Sequence, residues 1–255
     1  MARGLVSTPR NERERRREQA DERGGADTHA PSDVRYRLSV PRGPCPSVGV
    51  VPVVLVPRER LERWVANFGE RHGGVELSVE DGGLYGAGAD GSTFQARLPF
   101  EIQYDGEGEA APFAGAITRP ADWGVLLVRK GGFAVARLAG ERLGESKVGQ
   151  RHVQGRTKAG GQSQQRFARR RDNQARQAYE AAADHAARIL GEGTPLLVTG
   201  GDHAAVQEVL ADPRLRRVDV VPPWLPVPDP KRGVLEQAIR DAASATVEVL
   251  NAGDQ

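Results

Sequence analysis

The sequence predicts an α+β fold in which a mixed β-sheet is flanked by helices, preceded by a small N-terminal α+β module and a disordered N-terminal tail. Three observations predict this fold. Short apolar runs with strand-like alternation are separated by Gly-rich turns in the middle of the chain. A single long helical stripe of apolar residues covers residues 164–190. Strand-type and helix-type segments then alternate, which implies a partly parallel sheet with helices packed against it.

The first 33 residues are predicted to form a disordered, charged tail, because they mix Arg and Glu and contain little that could be buried. No apolar run is long enough to cross a bilayer, and the N-terminus lacks the apolar core of a secretory signal. We therefore expect a cytoplasmic protein with no membrane partner. Cys45 is the only cysteine and the five histidines are scattered, so we expect no metal and no other cofactor.

Residues 34–118 are predicted to form the small α+β accessory module. Residues 58–72 have the spacing of an amphipathic helix, and a Gly-Gly pair follows them. Residues 75–79 and 94–98 alternate as strands do. Residues 105–120 are rich in Gly, Ala and Pro and are predicted to be a linker or a long loop.

Residues 119–255 are predicted to form a second domain, which opens with a hairpin. Two apolar runs, 123–128 and 133–138, flank a Lys-Gly-Gly turn, and residues 142–149 are a candidate third strand. An exposed basic loop follows, and then a helix over 164–190 with Ser163 as its N-cap. The later elements are predicted to be a strand at 195–199, a turn at 200–202, a helix at 203–210, a strand at 217–221 and a final helix at 231–250.

Positive charge is concentrated in one segment of the chain. From Lys147 to Arg176 there are nine basic residues and one acidic residue, Asp172, so this segment carries +8. The whole chain carries +2, and the remainder is therefore at −6. A local basic patch on an otherwise acidic protein indicates one anionic partner, although a solvated Arg-rich helix face has the same pattern.

The triplet Gly160-Gly161-Gln162 lies in this basic segment, at the end of the loop and directly before the long helix. Adjacent glycines let the backbone approach a substrate closely. A glutamine carboxamide donates and accepts hydrogen bonds without titrating, so it can orient a water molecule. Backbone N–H groups at a loop-to-helix junction can stabilise an oxyanion. The triplet therefore suits ester hydrolysis by positioning, while a flexible turn before a helix is its simpler interpretation.

The residues around the triplet read Arg156-Thr-Lys-Ala-Gly-Gly-Gln-Ser-Gln-Gln-Arg-Phe-Ala-Arg-Arg-Arg-Asp172. This segment resembles the catalytic middle domain of eukaryotic and archaeal class-one peptide release factors, in which the triplet is followed by Ser and then by Arg-Phe-Ala-Arg. The hairpin strands and Leu196–Val206 are similar to the flanking parts of that domain. A closer resemblance is to the VLRF family of release-factor-like peptidyl-tRNA hydrolases of ribosome quality control, in its bacterial, actinobacterial branch. The resemblance covers about Ala121 to Leu250.

The resemblance implies a peptidyl-tRNA hydrolase that releases nascent chains from stalled ribosomes or large subunits. Gln162 would position the attacking water, and Gly160 and Gly161 would allow entry into the peptidyl-transferase centre. Contacts to rRNA or tRNA phosphates are expected from Arg151, Arg156, Lys158, Arg166, Arg169 and Arg170. The expected partners are the large ribosomal subunit and peptidyl-tRNA, met by a monomer. The chain leaves no room for a codon-reading domain or a GTPase-recruiting domain, so stop-codon recognition is not expected.

Two other functions remain open at this stage: a nuclease that cuts tRNA near its 3′ end, and a ribosome- or RNA-binding factor without catalysis. His152 lies in the basic loop, but nothing near it in sequence would orient it as a general base. Gly200-Gly201-Asp202-His203 lacks the spacing of a nucleotide-binding loop, so we interpret it as a tight strand-to-helix turn.

Overall fold

The computed structural model describes residues 53–150, 162–193 and 196–254, and for residues 162–175, 192 and 254 it describes the backbone alone. The predicted tail, residues 1–33, lies outside this description. Two five-stranded sheets organise the described residues, and each carries helices on its faces.

The first sheet is antiparallel and takes one of its inner strands from the far end of the sequence. Its strands are β1 (Val53–Val56), β2 (Val75–Glu80), β3 (Gly83–Gly88), β4 (Thr93–Arg97) and β10 (Ala245–Leu250). They are arranged in the order β1-β10-β4-β3-β2. Val247 pairs with Val54 on one side and with Ala96 on the other. The last strand therefore ties the C-terminal end of the chain to its N-terminal module.

Two helices cover one face of the first sheet: α1 (Arg58–Arg71) and α2 (Ala110–Ala116). Leu61, Val65 and Phe68 recur at helical spacing and are buried. They pack with Phe113 of α2 and Phe94 of β4 in one hydrophobic core. The amphipathic stripe thus explains why α1 lies flat on the sheet.

The second sheet is mixed. Its strands are β5 (Trp123–Arg129), β6 (Gly132–Ala139), β7 (Arg142–Gln150), β8 (Leu196–Gly201) and β9 (Asp219–Leu225), in the order β7-β6-β5-β8-β9. The first three form an antiparallel meander. The last two run parallel to β5, as the alternation of strands and helices predicts.

Both faces of the second sheet are buried. Leu126 and Val128 of β5 point to a core shared with α3 (Gln162–Leu190) and α4 (His203–Leu210). Val125 and Leu127, one position away, point to a core shared with α5 (Arg232–Ala242). Because neighbouring residues of a strand face opposite sides, a continuous apolar run such as β5 is typical of a strand covered on both faces.

The predicted fold class is confirmed, and the hairpin, the third strand, the long helix and the β8–α4 unit all form. The buried stripe of α3 is also confirmed where its side chains are described. It comprises Ala178, Tyr179, Ala182, Ala186 and Ile189.

Three expectations about local structure are wrong. The final helix ends at Ala242 and is followed by β10, because Ala245 and Val247 alternate with more exposed residues and complete the first sheet. The predicted linker contains α2, whose Phe113 is fully buried. Ser163 does not precede the helix as its N-cap, because α3 begins one residue earlier, at Gln162.

The domain limits 1–33, 34–118 and 119–255 stay a prediction. β10 falls within the third range, but it pairs with strands of the second. All the described residues belong to one compact unit that spans residues 44–255.

Candidate functional site

The predicted catalytic triplet lies at the start of α3. Gln162 is the first residue of the helix, and Gly160 and Gly161 precede it in the chain, outside the described residues. The first N–H groups of an α-helix have no partner within the helix, and the helix dipole adds positive potential there. The backbone at Gln162 can therefore offer donors to an anionic group.

The predicted RNA-binding residues fall into two groups. Those that precede the helix are outside the described residues, as is His152; they are Arg151, Arg156 and Lys158. Those on the helix lie in its N-terminal turns, where the backbone alone is described; they are Arg166, Arg169 and Arg170. All three of the latter follow Gln162 within nine positions of the sequence, so their backbone belongs to the same helix end.

The strand β7, which precedes the predicted catalytic segment in the chain, ends at an edge shared by all five strands. Gln150, the last residue of β7, pairs with Gly132 at the start of β6, and Gly132 pairs with Arg129 at the end of β5. Gly201 ends β8 beside this point, and Leu225 ends β9. We call it the carboxyl edge, because the three parallel strands end there. Loops at such an edge are a common place for ligand sites in α/β sheets.

The helix α3 reaches the same edge. Its first described side chains, Arg176 and Gln177, are exposed, and one face of the helix is buried from Ala178 onwards. Burial raises the pKa of Tyr179, and the nearby carboxylates of Asp202 and Glu208 raise it further. An α-helix rises about 1.5 Å per residue, so Gln162 lies roughly 25 Å along the helix from Tyr179.

An open groove of about 440 Å³ separates the end of β7 from α3. The sheet contributes Gly132, Phe133, Gly149 and Gln150, and the helix contributes Gln177, Ala178, Glu180, Ala181 and Asp184. The groove therefore lies between the strand that precedes the predicted catalytic triplet in the chain and the helix that follows it. Sequence reasoning missed it, although one signal was present. A Cβ at Gly149 would come within 2.3 Å of the Phe133 ring, and glycine inside a strand often indicates such a close approach.

The acidic residues of the groove have basic neighbours. Glu180 lies 3.9 Å from Arg176, one helical turn away, and Asp184 accepts a hydrogen bond of 2.6 Å from Arg214. Such exposed pairs hold side chains in place more than they stabilise the fold. In the parts of the chain that the structure describes, no cluster of three His, Cys, Asp or Glu side chains could hold a metal ion.

The Gly200–His203 segment forms the predicted tight strand-to-helix turn. Gly201 has φ of +105°, and a Cβ there would come within 2.3 Å of the Val128 carbonyl oxygen. Asp202 is the N-cap of α4, and its carboxylate accepts a hydrogen bond from the Ala205 N–H at 3.2 Å. The turn is therefore explained by backbone geometry and capping.

The opposite edge of the sheet anchors the other end of α3. The Arg137 guanidinium donates two hydrogen bonds to Asp122, at 2.9 and 2.6 Å, and one to the carbonyl of Leu190 at 3.0 Å. The hydrogen bonds that Arg137 donates to Asp122 raise the pKa of Arg137. A cation that caps the last carbonyls of a helix is favourable, so this contact fixes where α3 ends.

Fold and site together define a release-factor-like protein, with a glycine-glycine-glutamine sequence at the start of a long helix beside a mixed sheet. The sequence profile of a family described as the Actinobacteria/chloroflexi VLRF1 release factor matches residues 121–248. That range is half of the chain, and the chain belongs to this family, acVLRF1.

Among solved structures, the chain is similar to the archaeal translation termination factor aRF1, with 17% sequence identity and a TM-score of 0.37. The similar region covers 62% of this chain and 46% of that factor, so it spans less than half of the factor's length. No curated protein matches the chain. Within the described ranges, every helix is too short or too polar to cross a bilayer.

Proposed function

We propose that the protein is a peptidyl-tRNA hydrolase that releases nascent chains from stalled ribosomes or large subunits. One observation carries this proposal: in a member of a release-factor family, the helix α3 begins at Gln162, directly after Gly160 and Gly161. A reactive loop at the N-terminus of a helix has free backbone donors and a favourable field for a developing negative charge.

In the proposed reaction, the carboxamide of Gln162 orients a water molecule towards the ester carbonyl carbon of peptidyl-tRNA. The water oxygen bonds to that carbon, and the carbonyl oxygen of the tetrahedral intermediate is held by the backbone N–H of Gln162. The bond from the carbon to the ribose oxygen then breaks. One proton of the attacking water ends on the ribose oxygen, and the other is released to solvent. The products are a peptide with a free carboxylate and a tRNA with an intact 3′ end. Positioning supplies most of the rate enhancement, so no strong protein base is needed.

The basic residues around the triplet would hold the loop against RNA. Arg166, Arg169 and Arg170 share the helix with Gln162, so phosphate contacts at these positions would set the register and orientation of the loop. The proposed partners are the large subunit at its peptidyl-transferase centre and peptidyl-tRNA, met by a monomer in the cytoplasm. The same RNA would also be contacted by the basic residues that precede the helix, Arg151, Arg156 and Lys158.

The proposal is tested by a release assay on purified large subunits that carry labelled peptidyl-tRNA. We expect Gln162→Ala to slow release roughly 100-fold or more, as removal of one oxyanion or water-positioning group does. Gln164→Ala is the matched control, because it removes the same side chain two positions further along the same helix. It should release peptide at the wild-type rate.

The 3′ end of the released tRNA separates the three functions. An intact end together with a slow Gln162→Ala variant supports ester hydrolysis by the triplet. A shortened tRNA would identify a nuclease instead. Binding without any release by the wild-type protein would identify a ribosome-binding factor without catalysis.

A further inference from the structure

An exposed histidine ring lies flat on a tryptophan at the carboxyl edge of the second sheet. The rings of His203 and Trp224 have centroids 3.5 Å apart and planes within 11° of parallel. Trp224 is half-buried and packs against the core beneath α3 and α4, whereas His203 is exposed at the start of α4. One ring is thus anchored in the core, and the other is presented to solvent.

The other histidine–aromatic contacts in the described residues differ from this one. The ring centroids of His185 and Phe133 are 5.5 Å apart, with 26° between the ring planes. Those of His72 and Phe68 are 4.3 Å apart, with 37° between the planes. Both of these histidines are half-buried, and His72 also bonds to Asp90 at 2.8 Å. The His203 ring nitrogens make no hydrogen bond to any described residue. Internal packing therefore explains His72 and His185 but leaves the outer face of His203 without a role.

The His203–Trp224 stack lies at the same edge of the sheet as the end of β7, the strand that precedes the Gly160-Gly161-Gln162 segment in the chain. Between the end of β8 and the end of β7 there are three strand spacings, or about 14 Å. The side chain of Arg129 passes beside Gly201, and Lys130 is exposed in the neighbouring turn. Asp229 lies against Gly131 of that turn, so the surface has mixed charge. A partner would therefore bind this surface through the flat ring of His203 more than through net charge.

We propose that His203, held flat by Trp224, stacks an unpaired base of RNA at the carboxyl edge of the second sheet. The proposal rests on the proposed function, because rRNA and tRNA are what this edge would then face. Unstacked bases are commonly bound on aromatic rings, and the contact tolerates any sequence because every base has a flat face. A protein partner would gain little from one small, open imidazole ring, whereas a base would extend an existing two-ring stack to three.

The test compares two RNA probes with the purified full-length protein. One is a ten-nucleotide oligoadenylate, and the other is an oligomer of the same length and charge without bases. We expect the wild-type protein to bind the oligoadenylate more tightly in a fluorescence anisotropy titration. His203→Ala should weaken that binding roughly tenfold and leave binding of the baseless oligomer unchanged. His203→Tyr keeps a flat ring and should retain the preference for bases.

His185→Ala is the matched control, because it removes a histidine that also contacts an aromatic ring on the same sheet. It should bind both probes as the wild-type protein does. The proposal is overturned if the wild-type protein shows no preference for bases, if His203→Ala keeps that preference, or if His185→Ala loses it equally. Gln162→Ala should bind the probes normally, so a failure of the stacking proposal and a failure of ester hydrolysis are seen in separate assays.

Discussion

The two edges of the second sheet contrast in how tightly they are held. At the amino edge, where β5 begins, Trp123 is fully buried. Its ring centroid lies 5.0 Å from that of Phe100, and its indole N–H donates a hydrogen bond to the Gly140 carbonyl. Arg137 joins Asp122 to the end of α3 at the same edge. The carboxyl edge instead carries glycine turns, an open groove and the exposed His203 ring.

The contrast shows how one sheet can serve stability and function at different ends. Groups that do chemistry need access to a partner, and access excludes the dense burial that stabilises a fold. Anchoring α3 at its C-terminal end leaves its N-terminal end, with Gln162, available for a partner. Truncation of buried side chains at the amino edge should therefore cost more stability than truncation of the exposed or half-buried side chains at the carboxyl edge.

The largest effect on stability is expected from Trp123→Ala. Removing a fully buried tryptophan should lower the free energy of unfolding by about 3–5 kcal/mol, since it leaves a cavity between the two sheets. Trp224→Ala, at the other edge, should cost clearly less, because Trp224 is only half-buried. Chemical denaturation of the two variants beside the wild-type protein measures both values. Equal costs would contradict the division between the edges.

Gly201→Ala tests the one place at the carboxyl edge where the backbone itself is constrained. At φ of +105°, an alanine is strained by about 1–3 kcal/mol, and the contact with the Val128 carbonyl adds to that cost. Gly233→Ala is the control, because Gly233 lies in α5 with no atom near the added methyl group. It should be neutral or stabilising by about 0.5 kcal/mol. A neutral Gly201→Ala variant would show that the turn can relax.

The smallest effect is expected from an ion pair near the amino edge. Hydrogen bonds from the side chain and the backbone N–H of Arg214 lower the pKa of Asp212 from its usual 3.8 to about 2. Because the folded-state pKa is the lower one, the stabilisation is present above pH 3.8 and is lost as the pH falls through 2.

Thermal unfolding of the wild-type protein and of Asp212→Asn should therefore converge as the pH falls from about 4 to about 2. The difference should be small at all pH values, since this pair is exposed. A difference that stays constant over that range would mean that the titration of Asp212 does not contribute to stability.

Much of the second sheet could be predicted from sequence because its signals are local. The apolar runs of β5 and β6 flank a glycine turn, and the stripe of α3 repeats over many turns. The segment after α5 shows where such reasoning stops. The sequence predicts helix for residues 245–250, but they form a strand because they pair with β1 on one side and with β4 on the other. Pairing partners more than 100 residues away leave no trace in local periodicity.

The sequence by itself predicted the class of protein and showed the basic character of the segment around Gly160-Gly161-Gln162, whereas the chemistry of that triplet stays a proposal. The class and the basic character depend on which residues adjoin one another along the chain. Only the tertiary structure decided that β7 ends at the same edge as Arg129 and His203, that a groove separates β7 from α3, and that β10 closes the first sheet. The physical reason is that these features join residues far apart in sequence, and packing alone brings them together.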